Sequence, residues 1–205
     1  MAANEAPDRH GDTASAILDV AQGLVQTRGF NGFSYADIAG TLGITKAALH
    51  YHFASKADLG RALLTRYVEM FLAALGDIDR DVAQPAERLA AYASLYVDVL
   101  AGDRLCLCGM LAAERDTLPD EMRAAVVAFF DANIAWLESV LAAGVHDGSL
   151  HLSESPRDVA EMLLGGLEGG MLVAWSHGAS DGFRASAQRL IASLTTAPGP
   201  PPDVH

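Results

Sequence analysis

The chain contains only two lysines, Lys46 and Lys56, and both fall within GITKAALHYHFASKADL, Gly43 to Leu59. Around them stand Thr45, His50, Tyr51 and His52, so cations and hydrogen-bond donors alternate with aromatic rings. That set suits gripping a polyanion rather than making or breaking bonds, because ammonium groups neutralise phosphates and short donors read base edges. Other side chains capable of chemistry are scattered. Cys106 and Cys108 lie two positions apart, and helical residues at that spacing point roughly 200° apart, so they neither pair readily nor share a metal. No zinc-type ligand spacing is present, and nothing calls for a cofactor. A cysteine enzyme would need a base, yet His146, His151 and His177 stand outside any nucleophile motif. These residues argue against an enzyme.

Charge is unevenly distributed. Of the formal −12, residues 1–70 hold six Lys/Arg against seven Asp/Glu, while the remainder holds eight against nineteen. A near-neutral head therefore precedes an acidic body, and a polyphosphate partner can only meet the head. The polar start, MAANEAPDRHGDT, lacks the basic-then-apolar run of an export signal. The best membrane candidate, residues 159–175, carries Glu161 and Glu168 and is barely long enough to span a bilayer. A cytoplasmic protein with no membrane partner is expected.

Helical periodicity dominates and no alternating strand pattern persists, so an all-α chain of about nine helices is expected. A first helix spans about 12–28, with Ile17, Val20, Ala21, Leu24 and Val25 on one face, and Gly29 ends it. Ser34 caps a short helix over 35–42, Gly43 breaks it, and Thr45 caps a second over 46–52. Ser55 starts a long helix running to about residue 79. Further helices are expected over 86–101, 104–116, 119–143, 156–177 and 181–195, with a loop at 144–155.

Two short helices joined by a glycine turn describe a helix-turn-helix, whose second member fits the major groove. Leu42, Ile44 and Leu49 would lock the pair together, while Ile38 and Phe53 anchor it on the first helix. Thr45, Lys46, Ala47, His50 and Tyr51 are left facing outward. Ser34, Tyr35, His52 and Lys56 complete the expected DNA contacts, Lys56 from the first turn of the next helix. Tyr51 and His52 could equally pack between helices. Asp37 and Asp58 are expected to cap helices or sit on the surface.

Over roughly residues 13–60, the Gly-Phe after the first helix, the Ile-Ala in the second, and Tyr51-His52-Phe53 followed by Ser55-Lys56 resemble the TetR family of transcriptional repressors. His50 stands where that family very often has tyrosine. The resemblance implies an N-terminal three-helix DNA-binding domain (13–56) between a flexible arm (1–12) and a larger ligand-binding and dimerisation domain (57–195), with a flexible tail (196–205). It also implies a homodimeric repressor on double-stranded, palindromic operator DNA, released by a small-molecule inducer.

Dimerisation is expected on the last two helices. Gly165, Gly166, Gly169 and Gly170 interrupt the helix 156–177, each costing roughly 1 kcal/mol against alanine, which implies close helix approach. With Met162 they are assigned to the dimer interface, with packing inside the chain as the alternative. Cys106, Met110, Phe129, Phe130, Trp136, Met171, Trp175 and His177 are candidate pocket residues, although the same composition suits a plain core. The run from Leu105 to Arg123 resembles a TetR branch that senses electrophiles through cysteine. Cys106, beside Arg104 at a helix start, could supply such a thiolate, or both cysteines could be buried hydrophobes. A ligand-independent DNA-binding regulator is a further alternative.

Overall fold

The computed structural model describes residues 9–178 and 180–195. Among them the chain forms nine α-helices, a single 3-10 turn at Arg115–Thr117 and no strand. The helices are α1 (Arg9–Arg28), α2 (Tyr35–Leu42), α3 (Lys46–His52), α4 (Lys56–Asp81), α5 (Pro85–Ala101), α6 (Leu107–Ala113), α7 (Asp120–Asp147), α8 (Pro156–His177) and α9 (Ser180–Thr195). The all-α class expected from periodicity is the one observed. Of the expected arm, residues 9–12 are helical, while residues 1–8 and the expected tail 196–205 lie outside the described residues.

Local chemistry sets the helix starts. A Ser-x-x-Asp pair caps three of them: the Asp37, Asp58 and Asp158 carboxylates accept from the hydroxyls of Ser34, Ser55 and Ser155 at 2.7, 2.7 and 2.5 Å. Between α2 and α3, Gly43 is left-handed (φ 66°), and the N–H groups of Gly43 and Ile44 both turn back to the Ala39 carbonyl.

Two helices end away from their expected limits. The expected helix 104–116 is only α6, because Asp103 takes φ 53° after α5 and the chain leaves α6 through the 3-10 turn. The expected loop 144–155 loses its first residues to α7. Gly144 stays helical because Leu150 folds over it, 2.4 Å from where a Cβ would be, and Gly148 (φ 78°) follows the helix end.

The chain divides into two compact units. The first joins Met1–Glu69 to Leu107–Val126, and the second joins Met70–Cys106 to Val127–His205. In the first, Ile17, Ala21 and Val25 of α1, Ile38 of α2, Leu49 of α3 and Leu59 of α4 are completely buried, and α6 packs on α1. Each of the Ile, Val and Leu side chains among them contributes about 1.5–3 kcal/mol by leaving water. In the second, α5, α8 and α9 pack mutually around Leu89, Val97, Leu163, Leu167, Phe183 and Ile191. α7 alone among the described helices is long and apolar enough to cross a membrane by length and composition, a test that core helices also meet. Its residues Phe129, Leu137 and Leu141 are buried in the second unit.

Candidate nucleic-acid interface

α3 begins where Thr45 accepts the Ala48 N–H at 3.1 Å, and it ends at Phe53, whose N–H returns to the Leu49 carbonyl. With Leu49 buried as its single anchor, the helix turns Thr45, Lys46, Ala47, His50 and Tyr51 to solvent. Tyr51 is the extreme case, a large aromatic ring that is 77% exposed. Its ring meets His52 edge-on at 5.5 Å, and His52 is half-buried.

Tyr35 forms the floor beside α3. Its hydroxyl donates to the Phe53 carbonyl at 2.9 Å, and its ring lies 4.7 Å from that of His50. Burial, with the Asp58 charge behind it, pushes the phenol up to about 12, so Tyr35 remains a neutral donor. The His50 Nδ1 sits 3.1 Å from the Ala54 carbonyl, a contact that requires the proton on Nδ1 and leaves Nε2 directed elsewhere. Phe33, Ser34, Tyr35, Ala36, Lys46, His50 and Lys56 line an open depression of about 400 Å³ next to the helix. Phe33 and Ala36 were not among the expected contacts, since nothing polar marks them.

Lys56, expected to contact DNA from the first turn of α4, is half-buried. Its ammonium donates to the Phe33 carbonyl and lies 4.2 Å from the Phe33 ring centre and 5.0 Å from that of Phe30. Burial lowers its pKa, with Glu114 and Asp37 pulling the other way. Lys56 thus fastens the turn before α2 while it forms one wall of the depression.

A residue far away in sequence holds the same turn. The Glu114 carboxylate accepts the Phe30 N–H at 2.6 Å and the Asn31 N–H at 3.2 Å, while the Asn31 amide donates to the Thr117 hydroxyl at 2.7 Å. Gly29 (φ 79°) gives the carboxylate room, since a Cβ there would lie 2.7 Å from Oε1. Sequence patterns carry no signal for a contact across 84 positions.

The expected pocket residues split. Phe129, Phe130, Trp136 and Met171 belong to the second unit, where Phe71, Tyr92, Tyr96 and Phe129 also cluster. Met110 belongs to the first unit, Trp175 is half-buried, and His177 is exposed at the end of α8. The glycines split as well. Gly166 and Gly170 give α9 its approach, their Cβ positions lying 3.1 Å from Leu190 and from Phe183, whereas nothing lies within 4 Å at Gly165 and Gly169. Those two share an open face with Met162, Leu172 and Val173, which are 67, 54 and 61% exposed.

Of the two settings expected for Cys106, the buried one is observed. The residue precedes α6 and gives its thiol hydrogen bond to Glu168, while Arg104 is exposed. Its partner is a carboxylate, not the Arg104 guanidinium on which the sensing argument rested. Cys108 is buried too, and neither cysteine is in a disulfide.

A helix-turn-helix with an outward-facing polar recognition helix, followed by an all-helical body, defines a DNA-binding transcriptional regulator. The chain matches "Bacterial regulatory proteins, tetR family" over residues 17–63 and "Tetracyclin repressor-like, C-terminal domain" over residues 85–190. It belongs to the TetR family. Transcriptional regulator AcuR of Cereibacter sphaeroides is 27% identical over 152 residues, covering 72% of this chain and 69% of that one. The HTH-type transcriptional repressor BepR of Brucella suis is 28% identical over 180 residues, 82% of each chain. The crystal structure of a TetR-family regulator from Agrobacterium tumefaciens is similar with a TM-score of 0.87 and 33% identity, covering 91% of this chain and 100% of that one.

Proposed function

We propose that this protein is a homodimeric repressor that holds a palindromic operator through α3 and lets go when a small molecule enters the second unit. The observation carrying this is the division of α3, with Leu49 buried and Thr45, Lys46, Ala47, His50 and Tyr51 exposed. Thr45 and Lys46 stand at the helix start, where base edges come within reach, and Ala47 is small enough to meet a thymine methyl. His50, Tyr51 and His52 serve phosphates and sugars, with Ser34, Tyr35 and Lys56 supporting them from the depression. The repressor named among the relatives, BepR, supports the direction of regulation.

The open face of Met162, Gly165, Gly169, Leu172 and Val173 supports α8 as a dimer surface, since five such positions without a partner would leave an apolar strip in water. A two-fold pair would set two α3 helices about one DNA turn (~34–36 Å) apart. Effector and operator then oppose one another by linkage, each weakening the other by the same factor. Work of this kind takes place in the cytoplasm and needs no catalytic residue.

The test is an electrophoretic mobility shift of the full chain on its own promoter at several salt concentrations, with Lys46→Ala and Tyr51→Ala. Lys46→Ala should weaken the cognate site by about 1–3 kcal/mol and flatten the preference over unrelated DNA. Tyr51→Ala should weaken all sequences alike with unchanged stability. If both variants bind as the parent does, α3 is not the reading helix, and sedimentation as a monomer would remove the palindrome.

A further inference from the structure

Within the second unit one carboxylate has hydrogen bonds that do not close. Glu168 stands in the α8 segment Gly165 to Gly170, one turn after the buried Leu164 and three residues before the buried Met171, so its side chain runs inward, away from the open glycine face. The Cys106 thiol donates to this carboxylate, and the Cys106 N–H is taken by the Met171 sulfur at 3.2 Å. The other oxygen, Oε1, is buried and has no hydrogen-bond partner in the protein.

Two phenols lie close enough to feel the Glu168 charge, Tyr92 and Tyr96, yet neither has a proton to offer it. Tyr92 donates to the Asn133 Oδ1 at 2.8 Å. The Tyr92 and Tyr96 hydroxyls are 3.1 Å apart, and with the Tyr92 proton already spent, Tyr96 must be the donor. An amide proton of Asn133 goes on to the Phe129 carbonyl at 2.8 Å. The relay therefore runs from Tyr96 through Tyr92 and Asn133 to the backbone, away from Glu168.

Further aromatic rings pack on the Tyr96–Tyr92 relay. Trp136 stacks on Tyr92 at 5.5 Å, and Phe71 meets Tyr92, Tyr96 and Phe129 edge-on at 6.2, 6.1 and 5.0 Å. Burial raises the Glu168 pKa, as expected for a carboxylate that has left water without finding a counter-charge. An acceptor without a donor is costly, and aromatic π-faces attract cations. Both needs are met by one kind of molecule.

We propose that this cluster is a binding site for an organic cation, an amine whose protonated nitrogen donates to Glu168 Oε1 and whose apolar body lies against Tyr92, Tyr96 and Trp136. The assignment rests on the proposal above that the second unit receives the effector, and it names the effector's class. Asp79, which accepts from the Trp136 Nε1 at 2.9 Å, is already paired with Arg88 at 3.2 Å, so the cluster leaves Glu168 to a monocation, and a carboxylate-bearing ligand would meet Glu168 with like charge.

The full-length dimer is titrated by calorimetry with matched probes: phenethylamine against 2-phenylethanol, hexylamine against 1-hexanol, and 3-phenylpropanoate as the anion. Each amine that fits should bind at least tenfold tighter than its alcohol, and the anion should not bind. Glu168→Gln keeps the shape and removes the charge, so the amine-to-alcohol ratio should fall to within twofold. Circular dichroism checks that variant's fold, and Glu168→Asp, which keeps the charge on a shorter arm, should retain the preference at lower affinity. Equal binding of amine and alcohol, no amine binding at all, tighter binding of the anion, or a preference that survives Glu168→Gln overturns the proposal. A mobility shift run in parallel separates the two claims: discrimination that depends on Glu168 without operator release supports the cation site and refutes the inducer role.

Discussion

Replacing Glu114 by alanine should cost the first unit about 2–3 kcal/mol, although the residue lies outside the helix-turn-helix. The Phe30 N–H that it accepts at 2.6 Å is part-buried, so the loss of this charge-assisted bond leaves a donor that water reaches poorly, worth about 1.5–3 kcal/mol. The Asn31 N–H at 3.2 Å is exposed, and water replaces the carboxylate there for a few tenths of a kcal/mol. Glu114→Gln keeps an acceptor without the charge and should cost about half as much. For a chain of this size the alanine variant should melt about 4–12 °C lower. Urea unfolding followed by circular dichroism, with the midpoint and slope fitted together, measures it. Gly29→Ala offers an internal check, because it imposes a left-handed alanine and drives a Cβ to 2.7 Å from the same carboxylate. In the double variant the clash vanishes, so the two costs should fall short of their sum. A Glu114→Ala protein within about 0.5 kcal/mol of the parent would refute the clasp.

Gly43→Ala should destabilise by about 1–2 kcal/mol purely through its φ of 66°, because no atom lies within 4 Å of the added methyl; chemical unfolding measures this. Gly169→Arg should abolish the dimer proposed on α8, as read by sedimentation, while leaving helicity intact, whereas Gly170→Val should lower the melting temperature by crowding Phe183 at 3.1 Å. Asp37 and Asp58 both have pKa values held below the usual carboxylate range, chiefly by the hydroxyls of Ser34 and Ser55. Their help to α2 and α4 is thus present above about pH 4 and lost as the pH falls through their lowered values, so acid titration of Asp37→Asn by circular dichroism should show a shallower low-pH limb.

The helix-turn-helix was legible because its signals are local. Ser34, Gly43 and Thr45 each fix one boundary through bonds no more than a turn long, and the long helices followed from repeats of leucine and valine. What escaped depends on pairs distant in sequence. Lys56 reads as a free cation until the rings of Phe30 and Phe33 are brought under it. Glu114 lies in the expected helix 104–116 with nothing to mark it until the turn at Phe30 arrives. Glu168 enters the sequence only as a charge unsuited to a membrane span, and only the path of α8 shows its side chain running inward. The glycines themselves could be read as marking close approach, but two of them serve α9 and two remain open, a division that composition cannot express.

The DNA-reading unit is sewn from two separate lengths of chain, with residues 107–126 inserted after an excursion of some forty residues through the other unit. A Cβ at Gly60 would strike Phe30 and Met122, and Leu111, Leu118 and Met122 are all buried, so the inserted length is part of that unit's interior. A fragment cut after α4's first turns would retain every side chain thought to touch an operator and still lack its keystone. Anyone grafting this specificity onto a different effector module must therefore carry both lengths.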